Sequence, residues 1–184
     1  TTAGAGTFNN NAGAITAVGG RNVNIGVTTA NYNTGTTINP GAGSAFMYSA
    51  NNNYNGALTF TGPLTANGGA HTFADGTVVG GAGTLTQAGG TVSMNNVILN
   101  KAYALANGNT LTINPTKTLT VTGGMGINAN GADTAVIGGG TLAIPVGATL
   151  TTTGGSNSDI YFDNVTVANA GLFNLNQPNV NHVV

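Results

Sequence analysis

The sequence predicts an all-β fold and, within that class, a parallel β-helix (β-solenoid) of about six or seven irregular rungs. Three observations predict it: a repeated segment, period-two alternation and paired glycines. The segment from Thr110 to Gly124 recurs 31 positions later, from Thr141 to Gly155. Each copy holds two short alternating strands, a turn between them and two closing glycines. One such unit has too small an apolar face to fold alone, so the repeat favours stacked units.

Alternation of apolar and hydroxyl residues along both copies predicts strands with one buried and one solvated face. The predicted inward residues are Leu111, Ile113, Leu119, Val121, Leu142, Ile144 and Leu150. The predicted outward residues are Thr110, Thr112, Thr118, Thr120, Thr122, Thr149, Thr151 and Thr153. Period-two patterns also fit an antiparallel β-sandwich of the pilin kind, joined by donated strands, and this is the alternative fold.

We interpret the chain as a single all-β domain, 1–184, with three parts. Residues 1–57 form an irregular N-terminal segment that caps the domain or exchanges a strand, 58–176 form the rungs, and 177–184 form a tail. Gly-Gly pairs at 68–69, 80–81 and 89–90 separate the predicted strands, because glycine readily adopts the positive φ of sharp turns.

The N-terminal segment contains two predicted strands and one ambiguous window. Ala12 to Val18 and Asn22 to Thr28 alternate, and the second places Val23, Ile25 and Val27 on one face. A short helix is an option over Ala42 to Ala50. The asparagine-rich stretch from Asn51 to Gly56 predicts a loop.

A second internal similarity relates Val92–Leu99 to Ile160–Val167 at an offset of 68 residues. Both stretches have large apolar residues, then asparagine, then an alternating strand. The matching positions Asn96 and Asn164 are predicted to stack their side-chain amides as a short ladder.

The composition disfavours several classes of function. Only 4% of the residues are charged and the net charge is −1, so the surface provides little field for nucleic acid or charged substrates. It also lacks the charge repulsion that keeps proteins apart, which permits self-association. The chain has no cysteine and no apolar run of membrane-spanning length. We therefore expect no disulfides, no nucleic-acid partner and no membrane insertion.

The stretch from Phe162 to Leu175 resembles the rungs of right-handed parallel β-helix proteins. Thr84–Thr86, Leu111–Ile113 and Gly139–Ile144 resemble the repeats of bacterial autotransporter passengers and related surface adhesins. The resemblance covers about residues 57–176. It implies a secreted, surface-located, non-catalytic rod, although the chain lacks the membrane-barrel segment of that family. It could be a mature protein or a piece of a longer one.

Candidates for chemistry are few, and we predict no catalytic residue, no metal site and no cofactor. Acid–base catalysis needs two titratable groups held together. The available residues are Asp75, Asp133, Asp159, Asp163, His71 and His182. As strand neighbours, Asp159 and Asp163 would be about 13 Å apart. Gly154 to Phe162 approaches a calcium-binding nonapeptide but has no second copy to complete a site.

These features predict an exported, non-enzymatic structural protein that self-assembles into an extracellular fibre, sheath or matrix. The chain is its own most favoured partner, because solenoid ends expose unpaired strand edges. The candidate assembly strands contain Ile15, Val18, Val180, Val183 and Val184. The alternative is a surface adhesin that binds polysaccharide, a host surface or a periodic lattice. Its predicted binding face consists of Thr118, Thr120, Thr122, Thr149, Thr151 and Thr153.

Overall fold

A computed structural model describes residues 4–17, 21, 23–41, 46–48, 51–155, 157–176 and 182–183. Within these ranges the chain forms only strands and turns, and the paired strands are parallel. The chain passes through three sheets in a fixed order, and one complete pass is a rung. About seven rungs form the solenoid. The predicted β-helix is confirmed, and the antiparallel sandwich alternative is wrong.

Sheet 1 has nine strands. They are β1 (Gly4–Asn10), β4 (Val27–Tyr32), β7 (Asn51–Tyr54), β10 (Ala70–Phe73), β13 (Thr91–Met94), β16 (Thr110–Ile113), β19 (Thr134–Ile137), β22 (Ile160–Asp163) and β25 (His182–Val183). Sheet 2 has eight strands. They are β2 (Ala14–Ala17), β5 (Thr37–Pro40), β8 (Ala57–Phe60), β11 (Thr77–Gly80), β14 (Val97–Leu99), β17 (Thr118–Val121), β20 (Thr141–Ile144) and β23 (Thr166–Asn169).

Sheet 3 has six strands. They are β9 (Leu64–Ala66), β12 (Thr84–Gln87), β15 (Ala102–Leu105), β18 (Met125–Ala129), β21 (Thr149–Gly154) and β24 (Leu172–Asn176). At the N-terminal end, β3 (Val23–Ile25) and β6 (Phe46–Tyr48) form a separate two-stranded sheet. This pair follows sheet 2 in the first two rungs, as sheet 3 does in the later ones.

The core fills the space between the three sheets. The seven predicted inward residues are all completely buried, and the predicted outward threonines are half-buried or exposed. Successive residues therefore alternate between core and solvent, as the pattern predicts. The apolar side chains stack along the rod axis, one above another in successive rungs.

The two copies of the 31-residue repeat do not lie one above the other. Strand β16 in the first copy belongs to sheet 1, whereas its counterpart β20 belongs to sheet 2. Likewise β17 lies in sheet 2 and its counterpart β21 in sheet 3. Residues paired between neighbouring rungs are 18 to 26 positions apart, as for Leu85 with Tyr103 and Val136 with Phe162. An offset of 31 therefore exceeds one rung and carries the repeat onto the next face.

The N-terminal part also differs from expectation, because the regular stack begins with β1 rather than near residue 58. In the window Ala42–Ala50, where the sequence allows a short helix, the described part Phe46–Tyr48 is strand β6 instead, and the remaining residues lie outside the described ranges. The predicted loop over Asn51–Gly56 contains strand β7. The strand is interrupted at Gly26, so Val23 and Ile25 lie in β3 while Val27 begins β4, although all three pack against the core.

Close approach between rungs explains the glycine at position 81. It has a φ of 105°, and a side chain there would collide with the backbone carbonyl of Phe60 in the rung below. Glycine is the residue that tolerates both conditions. The Gly80–Gly81 pair therefore sets a corner at which two rungs pass in direct contact.

Candidate interaction surfaces

The C-terminal end of the rod is apolar. Strands β23 and β24 are the last strands of sheets 2 and 3 among the described residues. In β24, Leu172 is 60% exposed, Phe173 38% and Leu175 56%. Phe173 pairs with the buried Leu150, and Leu175 pairs with the buried Thr152. Phe173 and Leu175 thus occupy core positions that no described rung covers.

The N-terminal end of the rod also carries apolar side chains. Phe8, Ile15 and Val23 are half-buried and pack against the core cluster. Ile15, a predicted assembly residue, lies in β2 and pairs with Ile38 of β5. The apolar side chains of the first rung therefore pack against the core of the rod. The strands of this rung are the terminal strands of their sheets, so their outer edges face along the rod axis.

Of the other predicted assembly residues, Val183 is the one that lies among the described residues. Val183 lies in β25, which pairs with β22 of the same chain, opposite Tyr161. Val18, Val180 and Val184 lie outside the described residues. In this structure the described part of the tail is docked on its own solenoid.

The predicted threonine face is divided between two sheets. Thr118 and Thr120 belong to β17 of sheet 2, and Thr122 follows that strand. Thr149, Thr151 and Thr153 belong to β21 of sheet 3. The two sets point in different directions from the rod, because the 31-residue repeat advances by one face. The structure therefore does not bring all six threonines together on one face.

Sheet 2 carries a shallow apolar groove of about 250 Å³. Its lining includes Val78, Ile98 and Thr120, which are paired in successive rungs. Ile98 is 41% exposed. Asn96 and Thr118 also line the groove, so hydroxyl and amide groups border an aliphatic floor. This arrangement offers both apolar contact and hydrogen bonds to a neutral ligand.

Asparagine ladders do occur, but in the first rungs rather than at Asn96 and Asn164. The Asn31 amide donates to Asn9 Oδ1 at 2.7 Å, and Asn53 donates to Asn31 at 2.8 Å. A second ladder joins Asn11, Asn33 and Asn55 at 2.6 and 3.0 Å. Asn96 instead bonds to Asp75 in the preceding rung. It cannot stack on Asn164, because β14 and β23 are three steps apart in sheet 2.

A buried aromatic stack lies behind these ladders. Tyr54 stacks on Tyr32 at 5.1 Å and on Phe73 at 4.3 Å between ring centroids. His71 Nε2 lies 3.0 Å from the carbonyl oxygen of Gly68, which can only accept, so Nε2 carries the proton. The Tyr54 hydroxyl then donates to His71 Nδ1 at 3.0 Å. Burial lowers the pKa of His71, so the ring takes part in this network in its neutral form.

Lys101 is a buried cation held by backbone carbonyls. Its side chain is 3% exposed, and Nζ donates to the oxygens of Phe60, Gly62 and Ala82 at 3.1, 3.3 and 2.9 Å. The ammonium also lies 5.4 Å from the Phe60 ring centroid. Burial lowers the pKa of Lys101 to about 8. This lysine ties together three neighbouring rungs at a glycine-rich corner.

The carboxylates make local contacts at corners of the rod. Asp75 forms a salt bridge with Lys117 at 2.8 Å, and this cation is the main reason that the pKa of Asp75 is lowered. Asp133 accepts from the backbone of Asp159 at 2.8 Å, while the Tyr161 hydroxyl donates to Asp159 at 3.0 Å. Among the described residues, no group of three or more His, Asp or Glu side chains is placed to hold a metal ion.

Two further findings bear on the class of protein. No helix in the described ranges is long and apolar enough to cross a membrane. Comparison with protein-family models, with curated proteins and with solved structures gave no significant match. The fold itself defines the chain as a parallel β-solenoid, and the autotransporter part of the resemblance has no family match behind it.

Proposed function

We propose that this chain is a non-catalytic structural solenoid, exported to the cell surface or extracellular space, whose copies join end to end. The product would be a fibre, sheath or matrix. The observation that carries the proposal is the apolar edge strand β24, with Leu172 and Leu175 more than half exposed. The resemblance to autotransporter passengers supports the same location.

The physical argument starts from the strand edge. An edge strand can pair with another chain, and soluble proteins usually block such edges with charge, proline or a covering element. Strand β24 reads Leu-Phe-Asn-Leu-Asn and contains neither charge nor proline. A partner that covers Phe173 and Leu175 would remove apolar surface from water, which stabilises association by about 25 cal/mol per Å² before binding costs.

A charged edge should prevent assembly. Leu175→Lys places an ammonium group on the apolar end, where pairing would bury it. Val146→Lys is the matched control, because Val146 is 84% exposed and lies between strands on the side of the rod. We expect sedimentation velocity and negative-stain microscopy to show filaments for the original chain and for Val146→Lys, but monomers for Leu175→Lys.

Circular dichroism should show the same β-sheet content in all three proteins, which separates loss of assembly from loss of folding. A strictly monomeric original chain at high protein concentration would contradict the proposal. Filaments formed equally well by Leu175→Lys would also contradict it.

A second candidate function is binding of a neutral polysaccharide along sheet 2. The groove over Val78, Ile98 and Thr120 favours it, because sugar rings combine apolar faces with hydroxyl groups. Ile98→Lys should then abolish co-sedimentation with insoluble polysaccharide, while Val146→Lys should bind as the original chain does. Equal binding by Ile98→Lys would refute this function.

A further inference from the structure

Among the described residues, the C-terminal end has one strand that is covered by another and two that are not. In sheet 1, β25 lies on β22 through two residue pairs, Ile160 with His182 and Tyr161 with Val183. In sheets 2 and 3, β23 and β24 are the last described strands. The end of the rod is therefore a step, with sheet 1 one strand taller than its neighbours.

We infer that the occupant of this step is the first rung of a second copy, and that β25 is a displaceable cover on the position its β1 would take. The inference rests on the proposed end-to-end assembly. Each rung runs from sheet 1 to sheet 2 and sheet 3 with parallel strands. Continuing that path places β1, β2 and β3 of the second copy over β22, β23 and β24, where β25 and β1 compete for one edge.

The two ends match in their apolar positions. Register through sheet 1 places Phe8 and Phe162 at opposite ends of one inward column. In the third position of the rung, Val23 faces the core at the first end, and Phe173 and Leu175 are uncovered at the other. Stacking a second copy in the same orientation therefore continues aromatic and aliphatic columns that already run through the rod.

The charge distribution favours this orientation over contact between like ends. Arg21 is the only charged side chain before Asp75, whereas after Lys117 the charged side chains are Asp133, Asp159 and Asp163. Unlike ends attract and two C-terminal ends repel, most strongly at low salt. A head-to-tail contact of this kind does not close on itself and generates an open filament.

The lengths of the competing strands favour exchange. The described part of β25 has two residues, while that of β1 has seven and already forms five pairs with β4 on its inner side. A longer strand offers more backbone hydrogen bonds and more side-chain contacts to the same edge. Release of β25 should therefore be the step that admits the next copy.

A reversible tether tests this step in the full-length chain. The protein has no cysteine, so Tyr161→Cys with Val183→Cys introduces the only two thiols, at positions paired in the ladder. Neighbouring parallel strands are about 4.8 Å apart, which is within disulfide range. The control pair is Thr112→Cys with Ile137→Cys, also paired in sheet 1 but in the middle of the rod.

We expect the oxidised Tyr161→Cys/Val183→Cys protein to lose sedimenting polymer and to regain it when the disulfide is reduced. The control pair should polymerise in both redox states. Polymer formed equally by the oxidised and reduced forms of the end variant would overturn this inference and leave end-to-end assembly standing. Absence of polymer from the original chain would instead refute the proposed function, and this inference with it.

Discussion

The first three rungs and the middle rungs maintain the same strand spacing by different means. In the first three, amide ladders on the outside and an aromatic stack on the inside connect each rung to the next. In the middle, the outward positions carry threonine, and the core columns are aliphatic, as with Leu111, Leu119 and Leu142. Directional contacts specify register at one end of the rod, whereas alternation and glycine corners specify it in the middle.

This difference should appear in the response to core truncation. Tyr54→Ala removes a ring that contacts aromatic rings in both neighbouring rungs and also removes the hydroxyl partner of His71. Leu119→Ala, the matched change in the middle, removes only aliphatic contacts. We expect losses of about 4 kcal/mol for Tyr54→Ala and about 3 kcal/mol for Leu119→Ala in denaturant unfolding.

The set of strands that lose protection from hydrogen exchange is a sharper test than the size of the stability loss. Rungs contact mainly their neighbours, so hydrogen exchange should accelerate in β4, β7 and β10 for Tyr54→Ala and in β14, β17 and β20 for Leu119→Ala. Uniform acceleration along the whole chain in both variants would show that the two regions unfold as one and would remove the distinction.

The same contrast explains which parts of the fold could be predicted from sequence. The middle rungs were predictable, because Leu111, Leu119 and Leu142 alternate with threonine in a plain period of two. Strand β7 of the third rung was not, because Asn51–Tyr54 is polar and has no alternation of that kind. Its signal is a longer one: Asn-x-Asn recurs every 22 residues, at Asn9, Asn31 and Asn53. Strand propensity underestimates how readily asparagine is placed in these strands, because each asparagine side chain is stabilised by identical side chains in the rungs above and below.

The candidate surfaces were predictable only in part. A neutral chain with charge-poor ends predicts exposed edges, but composition does not say which strand is the last one covered. The exposed side chains of β24 depend on where the rungs of 18 to 26 residues end. The predicted threonines are divided between two sheets for the same reason, since unequal rung lengths move a repeat from one face to another. Lys101 gave no sequence signal at all, because its three carbonyl partners come from residues up to 41 positions away.

Lys101 connects the third rung to the two rungs that follow it. Its titration should make the stability of the protein depend on pH. Its pKa is about 8 when folded and about 10.4 when unfolded. Between these values the unfolded state binds more protons, so stability rises with pH. We expect unfolding free energy to increase by on the order of 1 kcal/mol from pH 7 to pH 9.5. Lys101→Met should flatten the profile over this range.

The measurement stops at about pH 9.5 so that ionisation of tyrosine does not contribute to the change in stability. Burial raises the pKa of Tyr32 and Tyr103, so ionisation of these residues in the unfolded chain lowers stability above about pH 10. Lys117→Met is the control, because its ammonium lies at the surface in a salt bridge and its removal should leave the rise in place. A rise that persists in Lys101→Met would assign it to another group.

The smallest expected effect is that of a single ladder amide. Asn31 donates one hydrogen bond to Asn9 and accepts one from Asn53, and its side chain is half-buried. Each net hydrogen bond contributes about 0.5–1.5 kcal/mol, so Asn31→Ala should lower unfolding free energy by about 1–2 kcal/mol. Thr112→Ala, at an outward position of the same sheet in the middle rungs, should cost less than about 0.5 kcal/mol. Equal costs for the two alanine variants would mean that the asparagine ladder does not stabilise the stacking of the first rungs. The buried aromatic rings alone would then account for the register of those rungs.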